Sequence, residues 1–374
     1  MKDKIKVLWV TNALGCGGAE RQMLYMYDIL NKYSNIDVTI LYYARVGDEL
    51  NIDSYNTIFI DKSKIGKLRT IWNISKYIKQ ESFQIVHAFG GSSANIYGRF
   101  AAIFTKAVPV GAMLGKRHFV QKPISIINSF INLFGNWWTV NNNELIPILK
   151  KDLKFVSDSK IRLLHNGFFS SKFVNYHKNQ KLEFDIDKKD NFIFTAIGRL
   201  QPVKNYPLFL KAAQKILSEF DNVKFWLVGN GDEYDKLVSL ADDLGISKKV
   251  KFWGYRSDVD DILYRTDVFV QTSFTEGSPN TIAEAMRAQK PLISTLSTDL
   301  SEMILDEKNG YIVSNDNELE LVEAMRKMLK KSAEERKEMG KISEKLFNAN
   351  FLDVNVAKEF DDFYHEILNK KSNY

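Results

Sequence analysis

The sequence predicts an α/β protein made of two Rossmann-like, doubly wound domains facing a cleft, and three observations carry that expectation. The chain has 374 residues, too many for one ordinary core and suited to two domains of ~150–200 residues each. Short apolar runs rich in β-branched and aromatic residues alternate with longer amphipathic stretches, the pattern of strand, crossover helix and strand. That alternation stops at one polar stretch, SSKFVNYHKNQKLEFDIDKKD (170–190), and then starts again.

In the first series the apolar runs are IKVLWVT (5–11), DVTILYY (37–43), TIFI (57–60), IVHAF (85–89), VPVGAM (108–113), WWTV (137–140) and IRLLH (161–165). Near-continuous runs of this kind suit strands buried on both faces, which means a parallel sheet covered by helices. The second series is FIFTAIG (192–198), VKFWLVG (223–229), VKFWG (250–254), VFVQTS (268–273), PLISTL (291–296) and GYIV (310–313). One domain is therefore expected over residues 1–180 and another over 190–350, with the polar stretch as linker. From Ala333 to Tyr374 the chain reads as helix, with Phe351, Val354, Val356, Ala357, Phe360, Phe363, Ile367 and Leu368 on an apolar stripe. Residues 351–374 are expected to pack back onto the first domain.

Composition narrows the function classes. Apolar content of 45% and aromatic content of 13% can fill two interiors, which excludes a disordered chain. Cys16 is the single cysteine, so no intrachain disulfide and no cysteine-based metal site can form, as suits a reducing compartment. The opening MKDKIKVLWVTN reads as a first strand rather than a signal peptide, and no run reaches the ~18 apolar residues of a membrane span. A cytoplasmic protein is expected. Residues 1–170 hold 22 Lys+Arg against 12 Asp+Glu, and the remainder 30 against 34. A basic first half suits an anionic partner, either a phosphate-bearing acceptor or a membrane surface. With a modest excess and no aromatic platform, it does not read as a nucleic-acid binder.

Open α/β sheets bind ligands at the carboxyl ends of their strands, and three motifs fall there. After the first strand, NALGCGGAERQ places Gly15, Gly17 and Gly18 in a loop that leads into a helix from Ala19. Glycines let backbone N–H groups approach a phosphate or sugar closely. The pattern is not GxGxxG, and the second strand ends in LYYAR (41–45) without an acid for a dinucleotide ribose, which disfavours NAD. After the first strand of the second domain, AIGRLQPVKN supplies Gly198, Arg199 and Lys204. A planar guanidinium and a point-charge ammonium five residues apart can neutralise a diphosphate. The third motif is FTEGSPNTIAEAM (274–286). Here Ser278 is expected as N-cap and Pro279 as the first helical residue. The N–H groups of Asn280 and Thr281 would lie in the unpaired first turn. Glu276 would sit in the loop and Glu284 on the second turn, two carboxylates suited to a ligand rich in vicinal hydroxyls.

Together these stretches resemble the retaining glycosyltransferases of family 4, which have the GT-B fold. The resemblance runs through GGAERQ (17–22), IVHAFGG (85–91), HNGF (165–168), AIGRLQPVKN (196–205), LVGNGDE (227–233), VKFWGYRSDV (250–259) and EGSPNTIAEAM (276–286). It implies that Arg199 and Lys204 bind the donor diphosphate and stabilise the leaving phosphate. It implies that Glu276 positions the donor sugar and Glu284 the nucleotide ribose, with Gly17 and Gly18 closing on the diphosphate. Tyr255 and Arg256 stand where family members hold the base. Lys116, Arg117 and His118, in MLGKRHF (113–119), are the acceptor candidates, where the family more often shows His-Asp type residues. The segment after STLSTDL (294–300) lacks the paired glycines often seen there, so its donor-sugar pocket is expected to differ.

The expected reaction moves a sugar from a nucleotide diphosphate, with UDP the family-level choice, to a glycan or lipid-linked glycan of surface polysaccharide synthesis. Asp185-x-Asp187 lies in the linker, and no metal-holding Asp-x-Asp is expected at a strand end facing the cleft. No cofactor and no metal are therefore expected. A sugar-nucleotide epimerase of the same architecture and a non-catalytic sugar-nucleotide-binding protein are the alternatives. The segment KRHFVQKPISIINSFINLFGNWWTV (116–140) joins basic residues to aromatics and aliphatics, as interfacial helices do. It reads either as a membrane-surface helix or as a helix under the cleft that buries one face.

Overall fold

The computed structural model describes residues 4–15, 18–47, 50–89, 91–116, 122–169 and 191–371. The stretch 170–190, with Asp185 and Asp187, lies outside the described residues, as do Cys16, Gly17, Arg117 and His118. The chain divides into two compact units, Met1–Phe168 with Leu352–Tyr374, and Phe169–Phe351.

Unit 1 is built on β1 (Ile5–Thr11), β2 (Ile36–Tyr42), β3 (Thr57–Phe59), β4 (Ile85–Ala88), β5 (Val108–Met113), β6 (Trp137–Val140) and β7 (Ile161–Leu163). All pair in parallel, in the order β3-β2-β1-β4-β5-β6-β7. Each apolar run in the sequence is a strand, because a parallel strand must present apolar side chains to helices on both of its faces. The helices are α1 (Gly18–Tyr33), α2 (Lys62–Ile65), α3 (Lys67–Glu81), α4 (Ser92–Ile103), α5 (Lys122–Ile131) and α6 (Leu145–Asp152). On one face α3 and α4 lay Ile74, Ile78, Ala101 and Ala102 against Leu8, Val10 and Val86.

Unit 2 repeats the plan with β8 (Phe192–Ile197), β9 (Val223–Val228), β10 (Val250–Gly254), β11 (Val268–Gln271), β12 (Leu292–Thr295) and β13 (Gly310–Val313). These too are parallel, ordered β10-β9-β8-β11-β12-β13. Its helices are α7 (Tyr206–Leu217), α8 (Tyr234–Asp243), α9 (Val259–Arg265), α10 (Asn280–Arg287), α11 (Glu318–Lys330) and α12 (Ala333–Asn350). In each sheet the strand order reverses once, between β1 and β4 and between β8 and β11. Such a switch point leaves a crevice at the strand ends, because the flanking loops run to opposite faces.

The tail is two helices rather than one. After α12 ends, α13 (Asp353–Lys371) begins where Leu352 bridges to Phe168 and the Asp353 N–H donates to the Phe168 carbonyl at 3.2 Å. Of the α13 stripe, Val356, Ala357, Phe360, Phe363 and Ile367 are buried, Leu368 is half-buried and Val354 is exposed. Its Tyr364 hydroxyl accepts from Trp9 Nε1 at 2.9 Å and lies 2.8 Å from His87 Nδ1. His87 Nε2 meets Thr139 Oγ1 at 2.9 Å. Burial drives the His87 pKa down to about 3, so the imidazole is neutral and serves as a bridge between strands and helix.

Candidate functional site

The unit 2 site begins at the end of β8. Gly198 donates its N–H to Val228 O, which keeps the backbone in the sheet one residue past the strand. Beside it, Gly229 has φ +141° and lies so close that a Cβ there would fall 1.9 Å from the Gly198 carbonyl oxygen. Only glycine fits at that crossing. The next residue, Arg199, is exposed, and its side chain pairs with nothing among the described residues. Leu200 is buried and anchors the loop. A short 3-10 turn, Pro202–Lys204, follows, and then Asn205 in the left-handed region. Asn205 is held there by its Nδ2 on Asp316 Oδ1 at 3.1 Å.

The loop after β11 meets that turn directly. Thr272 Oγ1 donates to the Lys204 carbonyl at 2.8 Å, and the Phe274 N–H to the Val203 carbonyl at 2.8 Å. Lys204 Nζ then donates to Glu276 Oε1 at 2.6 Å. The same oxygen accepts from Ser273 Oγ at 2.6 Å. The two charged side chains are 24% and 14% exposed, so a ligand can reach the pair, yet water does not surround it. Below them, Thr295 Oγ1 donates to Ser273 O at 2.7 Å, and the Glu276 N–H to Ser297 O at 3.1 Å. The loop carrying Glu276 is thus stitched to the end of β12 on one side and to the Lys204 turn on the other. Two residues 72 positions apart, each expected from sequence to act on the donor, are in contact at the switch point.

Helix α10 starts one residue later than expected. Pro279, not Ser278, occupies the N-cap, and no side chain caps the helix. Both Ile282 and Ala283 donate to the Pro279 carbonyl, so the ladder opens at Pro279 and the N–H groups of Asn280 and Thr281 precede it. The Thr281 hydroxyl turns inward to Gln271 Oε1 at 3.5 Å. Glu284 is half-buried on the second turn. Its neighbour Arg287 pairs with Asp260 at 2.5 Å.

Other expected residues are held differently. Tyr255 is exposed after β10. Arg256 forks onto the Asp258 carboxylate at 2.8 and 2.6 Å and holds the Asp258 pKa below its ordinary value, chiefly through that hydrogen bond. In unit 1, Gly18 is the exposed first residue of α1. Lys116 pairs with Glu144 at 2.8 Å. Among the described residues no three His, Cys, Asp or Glu side chains gather as a metal site would require. Sequence reasoning did not single out Ser273, Ser297 or Gly229, since short polar residues and glycines at strand ends are common and carry no spacing signal of their own.

Helix α5 buries one face, and that face is largely the polar one. It buries Asn128, Ser129 and Ile131 and, in the turn after it, Asn132, while Ile126, Ile127, Phe130, Leu133 and Phe134 are exposed. The polar side turns inward because Arg99 of α4 waits there, fully buried. Its Nη1 donates to Asn128 Oδ1 at 3.2 Å, and Nη2 to Asn132 Oδ1 at 2.6 Å and Gly135 O at 2.8 Å. The guanidinium lies over the Trp138 ring, 4.2 Å from its centroid. On the far side of α4, α3 exposes Leu68 and Trp72. Among the described residues no helix is long and apolar enough to cross a membrane.

Residues 178–346 match the family model described as glycosyl transferases group 1. The chain is 27% identical over 330 residues to the Escherichia coli UDP-Gal:alpha-D-GlcNAc-diphosphoundecaprenol alpha-1,3-galactosyltransferase, covering 83% of this chain and 84% of that one. It is 25% identical over 381 residues to the Staphylococcus aureus capsular polysaccharide biosynthesis glycosyltransferase CapH, covering 96% and 98%. Among solved structures, Anabaena HepE in complex with UDP superposes with a TM-score of 0.83 at 17% identity, over 96% of this chain and 100% of that one.

Proposed function

We propose, from the premise that this chain is a group 1 glycosyltransferase, that unit 2 binds a UDP-sugar and that the sugar passes to a lipid-diphosphate-linked glycan. The name of the Escherichia coli relative carries both chemistries, a UDP-sugar donor and a diphosphoundecaprenol-linked acceptor. The single observation that carries the reading is the Lys204–Glu276 contact at the switch point of unit 2. It sets a phosphate-neutralising cation against an acid that can grip sugar hydroxyls.

In the proposed reaction the bond from the anomeric carbon to the diphosphate breaks, and its electron pair leaves with the phosphate oxygen. Arg199 and Lys204 meet that growing negative charge, and the N–H groups that open α10 add a helix-terminal dipole. An acceptor hydroxyl forms the new bond to the anomeric carbon and gives its proton to the departing phosphate oxygen. Retention of anomeric configuration is what the family resemblance implies. Two cations supply the neutralisation that a divalent metal supplies elsewhere, so metal-independent transfer is part of the proposal. Glu276 orients the sugar and Glu284 the ribose.

The acceptor is proposed to be met at a membrane surface. The outward faces of α3 and α5 offer Leu68, Trp72, Ile126, Phe130, Leu133 and Phe134, and α3 adds exposed Lys67, Arg69, Lys76 and Lys79. Apolar and aromatic groups beside lysine and arginine are what an anionic leaflet binds.

Two experiments test this. Arg199→Ala or Lys204→Ala should cut turnover with UDP-sugar at least ~100-fold, the usual loss when one charge-stabilising donor is removed. Near-normal rates in both variants would overturn the site. Flotation with anionic liposomes at low salt should carry the protein upward, and Trp72→Ser with Phe130→Ser should leave it at the bottom. Absence of wild-type flotation would remove the membrane reading alone.

A further inference from the structure

We propose that the Tyr206 hydroxyl is a donor-contacting group that hydrogen-bonds the diphosphate of the bound nucleotide beside Lys204. This deepens, and rests on, the reading of unit 2 as a nucleotide-sugar site.

Tyr206 is the first residue of α7. Its ring is 4% exposed and belongs to the main unit 2 core, with Leu200, Leu208 and Leu210. A buried tyrosine almost always places its hydroxyl on a partner, since an unpaired buried polar group costs ~1–3 kcal/mol. The Tyr206 hydroxyl has no partner among the described residues, and it is not one of the sealed, unpaired polar atoms either. Its oxygen is therefore not fully sealed inside the core.

Where it reaches is fixed by Gly198. A Cβ on Gly198 would lie 2.7 Å from the Tyr206 oxygen and 3.7 Å from Lys204 Cε. The bare glycine thus leaves the phenol hydroxyl and the lysine stem beside one backbone point, at the end of β8. The third neighbour is the Glu276 carboxylate. Burial first, and Glu276 second, push the phenol pKa well above the ordinary tyrosine range. The proton stays on oxygen, and the group is a hydrogen-bond donor at any working pH.

A neutral donor complements Arg199 and Lys204. It can meet a diphosphate oxygen without adding a charge that must be desolvated in the resting protein. A second consequence concerns Gly198, whose lack of a side chain keeps the hydroxyl accessible.

The test compares the wild-type chain with Tyr206→Phe, which keeps the ring and removes only the oxygen. UDP affinity is measured by calorimetry, and the unfolding midpoint by thermal melting without ligand. The expected result is UDP affinity lower by about tenfold, in the range for a hydrogen bond to a charged group, with the midpoint unchanged or raised. Equal UDP affinity in the two proteins overturns the assignment. So does a lowered midpoint with unaltered affinity, which would mark the hydroxyl as structural. Failure of the wild type to bind UDP overturns this assignment together with the donor reading of unit 2, and so is told apart from failure of Tyr206 alone.

Discussion

Arg99 in unit 1 and Lys204 in unit 2 are both cations drawn inside an α/β layer, and they are satisfied in opposite ways. Arg99 is wholly buried, and its partners among the described residues are neutral: two asparagine oxygens, one carbonyl and the face of Trp138, with Nε left unpaired. Burial lowers its pKa to about 9, still charged at neutral pH. Lys204 is partly open, and its partner is a carboxylate that a ligand can also reach. The difference separates two uses of charge. Arg99 has partners fixed in the chain and holds a helix in place. In the proposed reaction Lys204 exchanges its partner for a phosphate oxygen, as a binding group needs.

The largest expected effect tests the first half of that contrast. Arg99→Ala removes the donor for Asn128 and Asn132 and opens a hole beside Trp138, a loss of ~3–5 kcal/mol by analogy with broken buried charge networks and core truncations. At ~2–4 °C per kcal/mol for domains of this size, the melting midpoint should fall by ~10 °C. An unchanged midpoint would show that α5 is held by something else. Lys204→Ala should behave inversely, losing the ~100-fold in turnover named above while its midpoint moves by no more than ~3 °C, because a part-exposed pair adds ~1 kcal/mol or less. A large drop in midpoint would make Lys204 a structural residue like Arg99.

A third effect, spread over pH rather than produced by truncation, separates the units by acid. His87 has a folded pKa of about 3 against ~6.5 in an unfolded chain. Between those values the unfolded state binds the extra proton, so stability is fully present above pH ~6.5 and is lost as pH falls toward 3, by up to ~1.4 kcal/mol per pH unit. Unit 1 should lose its hydrogen-exchange protection around Trp9 and Tyr364 in that window before unit 2 loses its own. His87→Gln should blunt the dependence, and an unaltered slope in that variant would exclude His87 as its source.

The strands were legible because parallel pairing forces apolar side chains on both faces, and no other element writes so short and continuous a run. Helix α10 was legible to within one residue, since proline marks a helix start but does not say whether it stands at the cap or just after it. The orientation of α5 was not legible. Periodicity reveals a stripe, but only the location of Arg99, from another helix, decides which side faces in. The Lys204–Glu276 pair could be expected as two residues acting on one ligand, but their direct contact depends on β8 and β11 being neighbours, a fact of topology. Tyr206 and Ser273 left no signal, because one hydroxyl in an apolar stretch looks like any other until its surroundings are known.

The return of the chain to unit 1 at Leu352 makes unit 2 a guest spliced into its host. Residues 169–351 form one uninterrupted piece that could be excised or exchanged as a cassette. The host, by contrast, is finished only when its last helix arrives after the guest has been synthesised. Until then Trp9 and His87 lack the Tyr364 hydroxyl that closes over them, so on the ribosome the first domain begun is the last one completed.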